Sequence, residues 1–171
     1  MKKFFGLIVL LAVIVSIVVY VDGTTLPVNH VVSVTGVVQA PPEKVFGLIT
    51  NVAKASDWRP AVKSVTLLGP DKGRDHWVEH LAYGQYMTFL ATRTDPPMRR
   101  EVLLDAPGAS YGGSWTYELA PGPSPATTNL RITETGFIKP AVFRFVMAHV
   151  MGPTHNLDEY MKDIQTAATK S

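Results

Sequence analysis

The sequence predicts an α+β domain in which a curved, seven-stranded antiparallel sheet wraps around a long C-terminal helix, preceded by one apolar N-terminal helix. Three observations predict this fold class. An apolar run over residues 4–21 differs sharply from a remainder composed like a soluble domain. Short β-branched segments separated by turns fill the middle of the chain. Helical spacing of apolar residues then returns after Pro140.

The run over residues 4–21 is long enough to cross a bilayer. As a helix it spans about 27 Å, close to the roughly 30 Å thickness of the hydrocarbon layer. Lys2 and Lys3 precede the run and no Lys or Arg follows before Lys44, which predicts a cytoplasmic N-terminus and an extracytoplasmic domain. A bacterial source would make this an inner-membrane protein facing the periplasm. We expect an uncleaved anchor over residues 1–23, a linker over 24–27 and one domain over 28–171.

A cleaved secretory signal is the alternative for this segment, and it would release a periplasmic or secreted domain. The apolar region of such signals usually has only about 7–15 residues and ends in a small-x-small cleavage site. The run here is longer, and the Val21-Asp22-Gly23 sequence that follows is a poor cleavage site. Length therefore favours the anchor.

Composition limits the remaining function classes. The chain has no cysteine, which excludes disulfides, thiolate nucleophiles and cysteine-based zinc sites. Removing the charges of Lys2, Lys3 and Asp22 from the net charge of +2 leaves about +1 for the domain, with no basic run. This charge argues against a nucleic-acid partner.

The domain begins with a β-branched strand over residues 28–38. Ala40-Pro41-Pro42-Glu43 then starts a helix, since Pro is tolerated in the first turn and Glu is favourable at the positive end of the helix dipole. A short helical or irregular piece follows over 53–58. Six further strands, joined by short turns as in an antiparallel meander, are predicted over 62–68, 75–82, 85–93, 98–105, 112–119 and 127–138.

The last predicted element begins after Pro140 and is the longest helix of the domain. Its apolar stripe contains Val142, Phe143, Val146, Val150 and Met151, and resumes at Leu157, Tyr160, Met161 and Ile164. Gly152-Pro153 interrupts the pattern. Because proline removes a backbone donor and clashes with the preceding turn, a kink or break is expected there.

Six stretches carry a resemblance to a known superfamily: the sequence VQAPPEKVF at 38–46, Trp58-Arg59-Pro60, Trp77-Val78-Glu79, GGSWTY at 112–117, Thr133-Glu134-Thr135-Gly136, and residues 140–145. In order and spacing the chain resembles the START-like, or helix-grip, superfamily, which includes Bet v 1-type proteins and the polyketide cyclase/dehydrase group. The resemblance covers about residues 28–167. It implies a deep apolar cavity between sheet and terminal helix, where members bind lipids, polyketides, isoprenoids or other hydrophobic molecules.

Eight apolar or aromatic residues are candidates for the lining of such a cavity. Trp115, Tyr117 and Leu119 alternate onto one face of a strand, which points large groups toward the helix. Packing alone would give the same alternation, so each candidate can also be an ordinary core residue. The candidates are Trp58, Trp77, Phe89, Trp115, Tyr117, Phe143, Met147 and Met151.

Metal and cofactor sites are not predicted. His76 and His80 have a spacing that serves zinc on a helix, but on a strand four residues span about 13 Å, too far to share one ion. His149 and His155 have Pro153 between them and no further ligands nearby in the sequence.

No catalytic residue is predicted either. Glu79, Glu118 and Glu134 can approach one another across strands, and a buried pair can serve acid/base chemistry. The interpretation we favour pairs Glu79 and Glu134 with backbone groups, with arginine or with water. The available arginine partners are Arg59, Arg131 and Arg144.

Two functions from different classes follow. The favoured one is a noncatalytic, membrane-tethered binder or carrier of a hydrophobic small molecule, held beside the bilayer through residues 4–21 and needing no cofactor. The alternative is a cyclase- or dehydratase-like enzyme acting on a hydrophobic substrate in the same cavity. A third interpretation is an interaction domain whose own side chains fill the cavity.

Overall fold

The computed structural model describes residues 2–170. A curved sheet holds one long helix against its concave face, and an apolar helix leaves the domain at its N-terminus. The helices are α1 (Lys2–Thr25), α2 (Pro42–Thr50), a 3₁₀ turn (Val52–Lys54), α3 (Ala55–Trp58), α4 (Ala141–Val146), a π-helical turn (Met147–Met151) and α5 (His155–Lys170). The strands are β1 (Asn29–Val38), β2 (Val62–Leu67), β3 (His76–Leu81), β4 (Tyr86–Asp95), β5 (Arg99–Leu104), β6 (Tyr111–Pro121) and β7 (Thr128–Ile138).

All seven strands form one antiparallel sheet in the order β1-β7-β6-β5-β4-β3-β2. From β2 to β7 the sheet is a meander of sequential neighbours, and β1 joins by pairing with β7. Bulges in β2 and β4 interrupt the register, and a bulge bends its strand and increases the local twist. The predicted α+β class, the strand count and the grip on a C-terminal helix are confirmed.

The sheet has two ends, because antiparallel neighbours alternate in direction. One end lies next to α1, and we call it the anchor-side end after the anchor that the sequence predicts. There β1 begins at Asn29 and β7 ends. At the far end, β1 stops at Val38 and β7 begins at Thr128. Helix α5 runs from the first toward the second, since Gln165 near its C-terminus donates a 3.0 Å hydrogen bond to the Val37 carbonyl.

A tight apolar core lies at the far end. Its side chains come from the ends of β1 and β6, the start of β7, α2 and the second half of α5. Helix α2 presents a buried stripe with the predicted helical spacing. The fully buried members are Val38, Val45, Leu130, Ile132 and Ile164, and Leu157 in the first turn of α5 is fully buried as well.

The region after Pro140 differs from the prediction of one kinked helix packed inward. The break is confirmed: the π-helical turn ends at Gly152, whose φ of 96° suits glycine. The inward stripe is confirmed only for α5. The placement of Val142, Phe143, Val150 and Met151 on the same inward stripe is wrong, because all four are exposed. Helix α4 contacts α1, and its Val142 and Phe143 side chains are exposed, whereas Phe145 and Val146 are partly buried.

Helix α1 is long and apolar enough to cross a membrane over Phe4–Thr25, and none of its most apolar window is buried against the domain. A signal sequence near an N-terminus meets the same criteria. The helix continues through Thr25, so part of the predicted linker over 24–27 is helical. Only residues 26–28 separate α1 from β1, which keeps the sheet close to the end of the helix.

Candidate functional site

The concave face of the sheet is buried at one end and half open at the other. Along β6, Leu119 and Tyr117 are buried and Trp115 is partly exposed. Along β7, Leu130 and Ile132 are fully buried, whereas the Glu134 side chain retains 19% of its exposure. Burial therefore decreases from Leu119 to Trp115 and from Ile132 to Glu134, which leaves a half-buried stretch on this face. Beyond Glu134, Gly136 is buried again beneath His30.

Aromatic rings fill the middle of the concave face. Tyr160 of α5 lies at their centre, with ring centroids 5.5 Å from Trp58, 5.7 Å from Trp115 and 5.3 Å from Tyr117. Trp115 and Tyr117 themselves meet edge to face at 6.5 Å. These distances are typical of favourable aromatic packing. A ligand that enters this face must occupy the anchor-side half or displace rings.

A buried ion pair adjoins the rings. Arg59, just before β2, donates a 2.7 Å hydrogen bond from Nη1 to Oε1 of Glu79 on β3. The indole Nε1 of Trp77 donates to the same oxygen at 3.3 Å, and the Arg59 guanidinium lies 4.8 Å from the Tyr160 ring centre. Alternation along β3 brings Trp77 and Glu79 to one face. The expected pairing of Glu79 with arginine is confirmed.

A second carboxylate lies at the open end. Glu134 of β7 accepts hydrogen bonds from Nε2 of His30 at 2.9 Å and from the indole Nε1 of Trp115 at 3.0 Å. His30 packs over Gly136, where a Cβ atom would come within 3.0 Å of the imidazole ring. Glycine at 136 thus permits the His30–Glu134 contact. In both clusters a glutamate accepts hydrogen bonds from the indole of a tryptophan and from a basic side chain, which is Arg59 for Glu79 and His30 for Glu134.

Two polar atoms in this region are buried and lack a hydrogen-bond partner within residues 2–170: Oε2 of Glu79 and Nε1 of Trp58. One is an acceptor and the other a donor. Because an unpaired buried polar group costs about 1–3 kcal/mol, such atoms in a fold call for a specific explanation. The acceptor would suit a donor on a bound molecule, and the donor would suit an acceptor.

The two tyrosines of the cluster are neutral hydrogen-bonding groups. Burial raises the pKa of Tyr117 well above its usual value, and burial also raises the pKa of Tyr160. Their hydroxyls hydrogen-bond to each other. Burial opposes the charged form of Arg59, but Glu79 and the tyrosines favour it, and the pKa of Arg59 is raised. The middle of the site therefore offers a permanent cation and two protonated phenols at neutral pH.

A further ring pair lies toward the β2 edge. Trp77 and Phe89 stack at 5.5 Å between centroids, and Val102 and Ala91 complete this part of the wall. Arg100, 1% exposed, lies 5.7 Å from the Trp77 ring and donates a 2.9 Å hydrogen bond to Asp75. This pair belongs to the same apolar face as the central rings.

The structure brings together five of the eight predicted cavity residues. Trp58, Trp115 and Tyr117 surround Tyr160, and Trp77 stacks on Phe89. The other three, Phe143, Met147 and Met151, lie on the segment that precedes α5, where Phe143 is 63% and Met151 44% exposed.

Three residues of this site were not among the predicted cavity residues: Tyr160, Arg59 and His30. Tyr160 was predicted only as part of the inward stripe of α5. The WRP stretch at 58–60 and the alternation of Trp77 with Glu79 were signals for an Arg59–Glu79 pair. His30 had no local signal, because its partner Glu134 is 104 residues away.

The histidines are distributed over separate places. His76 lies 3.4 Å from Asp105, His80 bonds to Thr66 at 3.1 Å, and His149 lies 2.8 Å from Asp22. Within residues 2–170, no group of three or more His, Asp or Glu side chains converges in a way that could hold a metal ion.

A groove of about 670 Å³ lies outside the grip, between α2, α3 and the C-terminal part of α5. Trp58 and Pro60 form part of its wall, and three lysines, Lys44, Lys54 and Lys170, line it together with polar side chains. It shares Trp58 with the aromatic cluster of the concave face.

Comparison of the sequence with family profiles identifies one matching family. The profile of the family described as "polyketide cyclase / dehydrase and lipid transport" matches residues 29–162. The chain belongs to this family. The match begins at the first residue of β1 and ends at residue 162, so it covers the whole sheet and the first half of α5. No curated protein matches this chain.

Solved structures of the START/Bet v 1-like superfamily share the fold of this family member. The Zhui aromatase/cyclase from Streptomyces sp. R1128 aligns with a TM-score of 0.65 at 16% identity, covering 83% of this chain and 94% of its own. A START superfamily protein from Mycobacterium smegmatis gives 0.62 at 19%, covering 82% and 98%. Truncated norcoclaurine synthase from Thalictrum flavum gives 0.64 at 14%, covering 84% and 96%. At these identities the likeness concerns the fold.

Proposed function

We propose that this protein binds a hydrophobic small molecule, such as a lipid, an isoprenoid or a polyketide-like compound, in the anchor-side half of its concave face. The observation that carries the proposal is that Trp115 and Glu134 are only partly buried, whereas the residues next to them toward the far end, on the same face of β6 and β7, are buried. A core that only stabilises the domain would be closed at both ends. The family description, which includes lipid transport, supports the same class of ligand.

The chemistry of the walls also supports a ligand site. Small-molecule sites are mostly apolar, with a few placed polar groups that fix orientation. Here the walls are Trp, Tyr, Phe and Val side chains, and the polar groups are the Glu79 and Glu134 clusters. The unpartnered Oε2 of Glu79 and Nε1 of Trp58 select a ligand that carries a hydroxyl or similar group.

We further propose that α1 is an uncleaved anchor in the inner cell membrane, with a cytoplasmic N-terminus and an extracytoplasmic domain. The length and composition of Phe4–Thr25 support it, and the lysines at 2 and 3 support the orientation. Because only residues 26–28 separate α1 from β1, the open end of the grip then lies near the lipid that supplies or accepts the ligand.

Native mass spectrometry of the full-length protein, purified from host membranes in a mild detergent, tests the binding proposal. Two variants on β1 provide a matched pair. Val32 is partly buried on the concave face, opposite Glu134, whereas its neighbour Val31 is 67% exposed on the other face. Val32→Phe should fill the anchor-side half, and Val31→Phe should leave it unchanged.

The expected result is a one-to-one adduct with a hydrophobic molecule in the wild-type protein and in Val31→Phe, and little or none in Val32→Phe. Absence of any adduct from the wild type, before and after incubation with an excess of membrane lipid extract, would contradict binding. Equal adducts in both variants would place the molecule elsewhere and contradict this site.

A second candidate is a cyclase- or dehydratase-like activity on the same bound molecule. It is favoured by the convergence of Tyr117, Tyr160, Arg59 and Glu79 on one buried place. The bound molecule recovered from wild type and from Tyr160→Phe separates the two functions. An enzyme that eliminates water yields a molecule lighter by one water in the wild type only, whereas a binder holds the same mass in both.

A further inference from the structure

The segment between β7 and α5 has an apolar face that the domain does not cover. It comprises α4 and the π-helical turn, residues 141–151, and we call it the α4–π segment. Phe143 is 63% and Val150 is 70% exposed, and Val142 and Met151 are exposed beside them. Arg144, in contrast, is buried and faces the end of α1, where its Nε donates to the Gly23 carbonyl. The segment is thus amphipathic, with its apolar side outward.

The other side of the α4–π segment is fastened to the end of α1. Arg144 donates from Nε to the Gly23 carbonyl at 2.9 Å, and also donates to the carbonyls of Ile138 and Lys139. His149 Nε2 lies 2.8 Å from Oδ2 of Asp22. Gly23 lies so close to the Ala141 carbonyl that a Cβ atom there would overlap it. The α4–π segment therefore packs directly against the C-terminal end of α1.

If α1 spans a bilayer, this contact with the end of α1 determines how deep the α4–π segment lies relative to the lipid. Asp22 is the first charged residue after the apolar run over 4–21, so it lies where the helix leaves the hydrocarbon layer. Residues bonded to Asp22 and Gly23 lie at the same level. Helices that rest at this level bury their apolar side chains in the boundary between headgroups and acyl chains. No Asp or Glu occurs over residues 140–153, and the carboxylate of Asp22 at this level lies against His149.

We propose that the α4–π segment is a second membrane-contact element, whose exposed apolar face lies in the lipid surface beside the anchor. This inference rests on the proposed anchor and extends it. Two contacts with the bilayer, at α1 and at the α4–π segment, hold the domain in one orientation. Because the segment joins the end of β7 to the start of α5, that orientation directs the open end of the grip toward the lipid.

Spin labelling of the full-length protein in lipid nanodiscs tests the proposal. The chain has no cysteine, so a single introduced cysteine takes a nitroxide at one place. Val150→Cys reports on the α4–π segment, and Ala126→Cys reports on an exposed turn at the far end. Leu10→Cys reports on α1. Collisions with oxygen, which concentrates in lipid, are compared with collisions with a water-soluble nickel complex.

The proposal expects a several-fold higher ratio of oxygen to nickel collisions at 150 than at 126. A label at 150 that matches 126, while the label at 10 lies in lipid, overturns the lipid contact and leaves the anchor intact. A label at 10 that is open to nickel overturns the anchor itself. Protection of position 150 from both reagents, with spin–spin broadening, assigns the face to a second copy of the chain and also overturns the proposal.

Discussion

The far end and the anchor-side end of the concave face use the same strands and the same helix for different tasks. At the far end, aliphatic side chains are fully buried, and the hydroxyl of Thr128 donates to the Ala40 carbonyl at 2.7 Å. At the anchor-side end, burial is partial and the side chains are aromatic or paired through hydrogen bonds. One end supplies packing energy, and the other keeps groups available for contact with another molecule.

The polar groups follow the same division. Within residues 2–170, the buried side-chain atoms without a hydrogen-bond partner are Glu79 Oε2, Trp58 Nε1, Arg100 Nε and His76 Nε2, of which the last lies 3.4 Å from the Asp105 carboxylate. None of them belongs to the aliphatic core at the far end. A domain that tolerates unpaired polar atoms beside its aromatic cluster, and none in its core, separates stability from binding along one face.

The largest effect is expected from breaking the buried ion pair. Glu79→Leu leaves Arg59 buried without its carboxylate, and removal of one partner of such a pair typically costs about 3–5 kcal/mol. Urea unfolding of the detergent-solubilised protein, followed by tryptophan fluorescence, measures the change. The double variant Arg59→Met with Glu79→Leu should recover most of the loss, because the uncompensated charge is gone. A loss below about 1 kcal/mol in the single variant would show that the pair is solvated.

The next effect sharpens the contrast between buried and exposed apolar residues. Leu130→Ala removes a fully buried side chain at the far end and should cost about 2–5 kcal/mol. Phe143→Ala removes a larger side chain that is 63% exposed, and should change the free energy of unfolding by less than about 0.5 kcal/mol. Comparable losses in the same unfolding assay would mean that the α4–π segment packs into the domain.

A smaller, pH-dependent effect concerns the two central tyrosines. Because burial raises the pKa of Tyr117 and Tyr160, both stay protonated in the folded state when the unfolded chain begins to ionise near pH 10. Their contribution is complete below that pH and decreases as the pH rises toward the folded-state pKa values. Each tyrosine lowers stability by up to about 1.4 kcal/mol per pH unit in this window.

Replacement of both tyrosines tests this pH dependence. Unfolding by urea at several pH values above 9 should show a shallower decline for the variant Tyr117→Phe with Tyr160→Phe than for the wild type. An equal slope in both proteins would mean that the hydroxyls are accessible to water in the folded state.

Most of the fold could be predicted because its signals are local. The β-branched segments, the Gly/Pro turns and the inward stripe of α5 each depend on neighbours within a few residues. The aromatic cluster was partly predictable for the same reason, since alternation brings Trp115 and Tyr117 to one face. The break at Gly152-Pro153 was equally visible in the sequence.

The features that were not predicted depend on the pairing of strands distant in sequence and on what surrounds an apolar helix face in the folded protein. His30 meets Glu134 only because β1 pairs with β7, and no local pattern reveals that register. The stripe containing Phe143 and Val150 has the spacing of a buried helix face, and spacing alone does not distinguish a protein core from a lipid surface. The stripe lies outside the core because α4 packs against α1, a contact between residues more than a hundred positions apart.

Fluorescence quenching by dibrominated stearic acid tests the central claim most directly. The chain has three tryptophans, of which Trp77 and Trp115 lie on the concave face and Trp58 lies between this face and the outer groove, so a Trp58→Phe background restricts the signal to the concave face. In nanodiscs, the account predicts saturable quenching of the wild type and of Val31→Phe, and markedly weaker quenching of Val32→Phe. An unquenched wild type, or equal quenching in all three proteins, would contradict a ligand site between the sheet and α5.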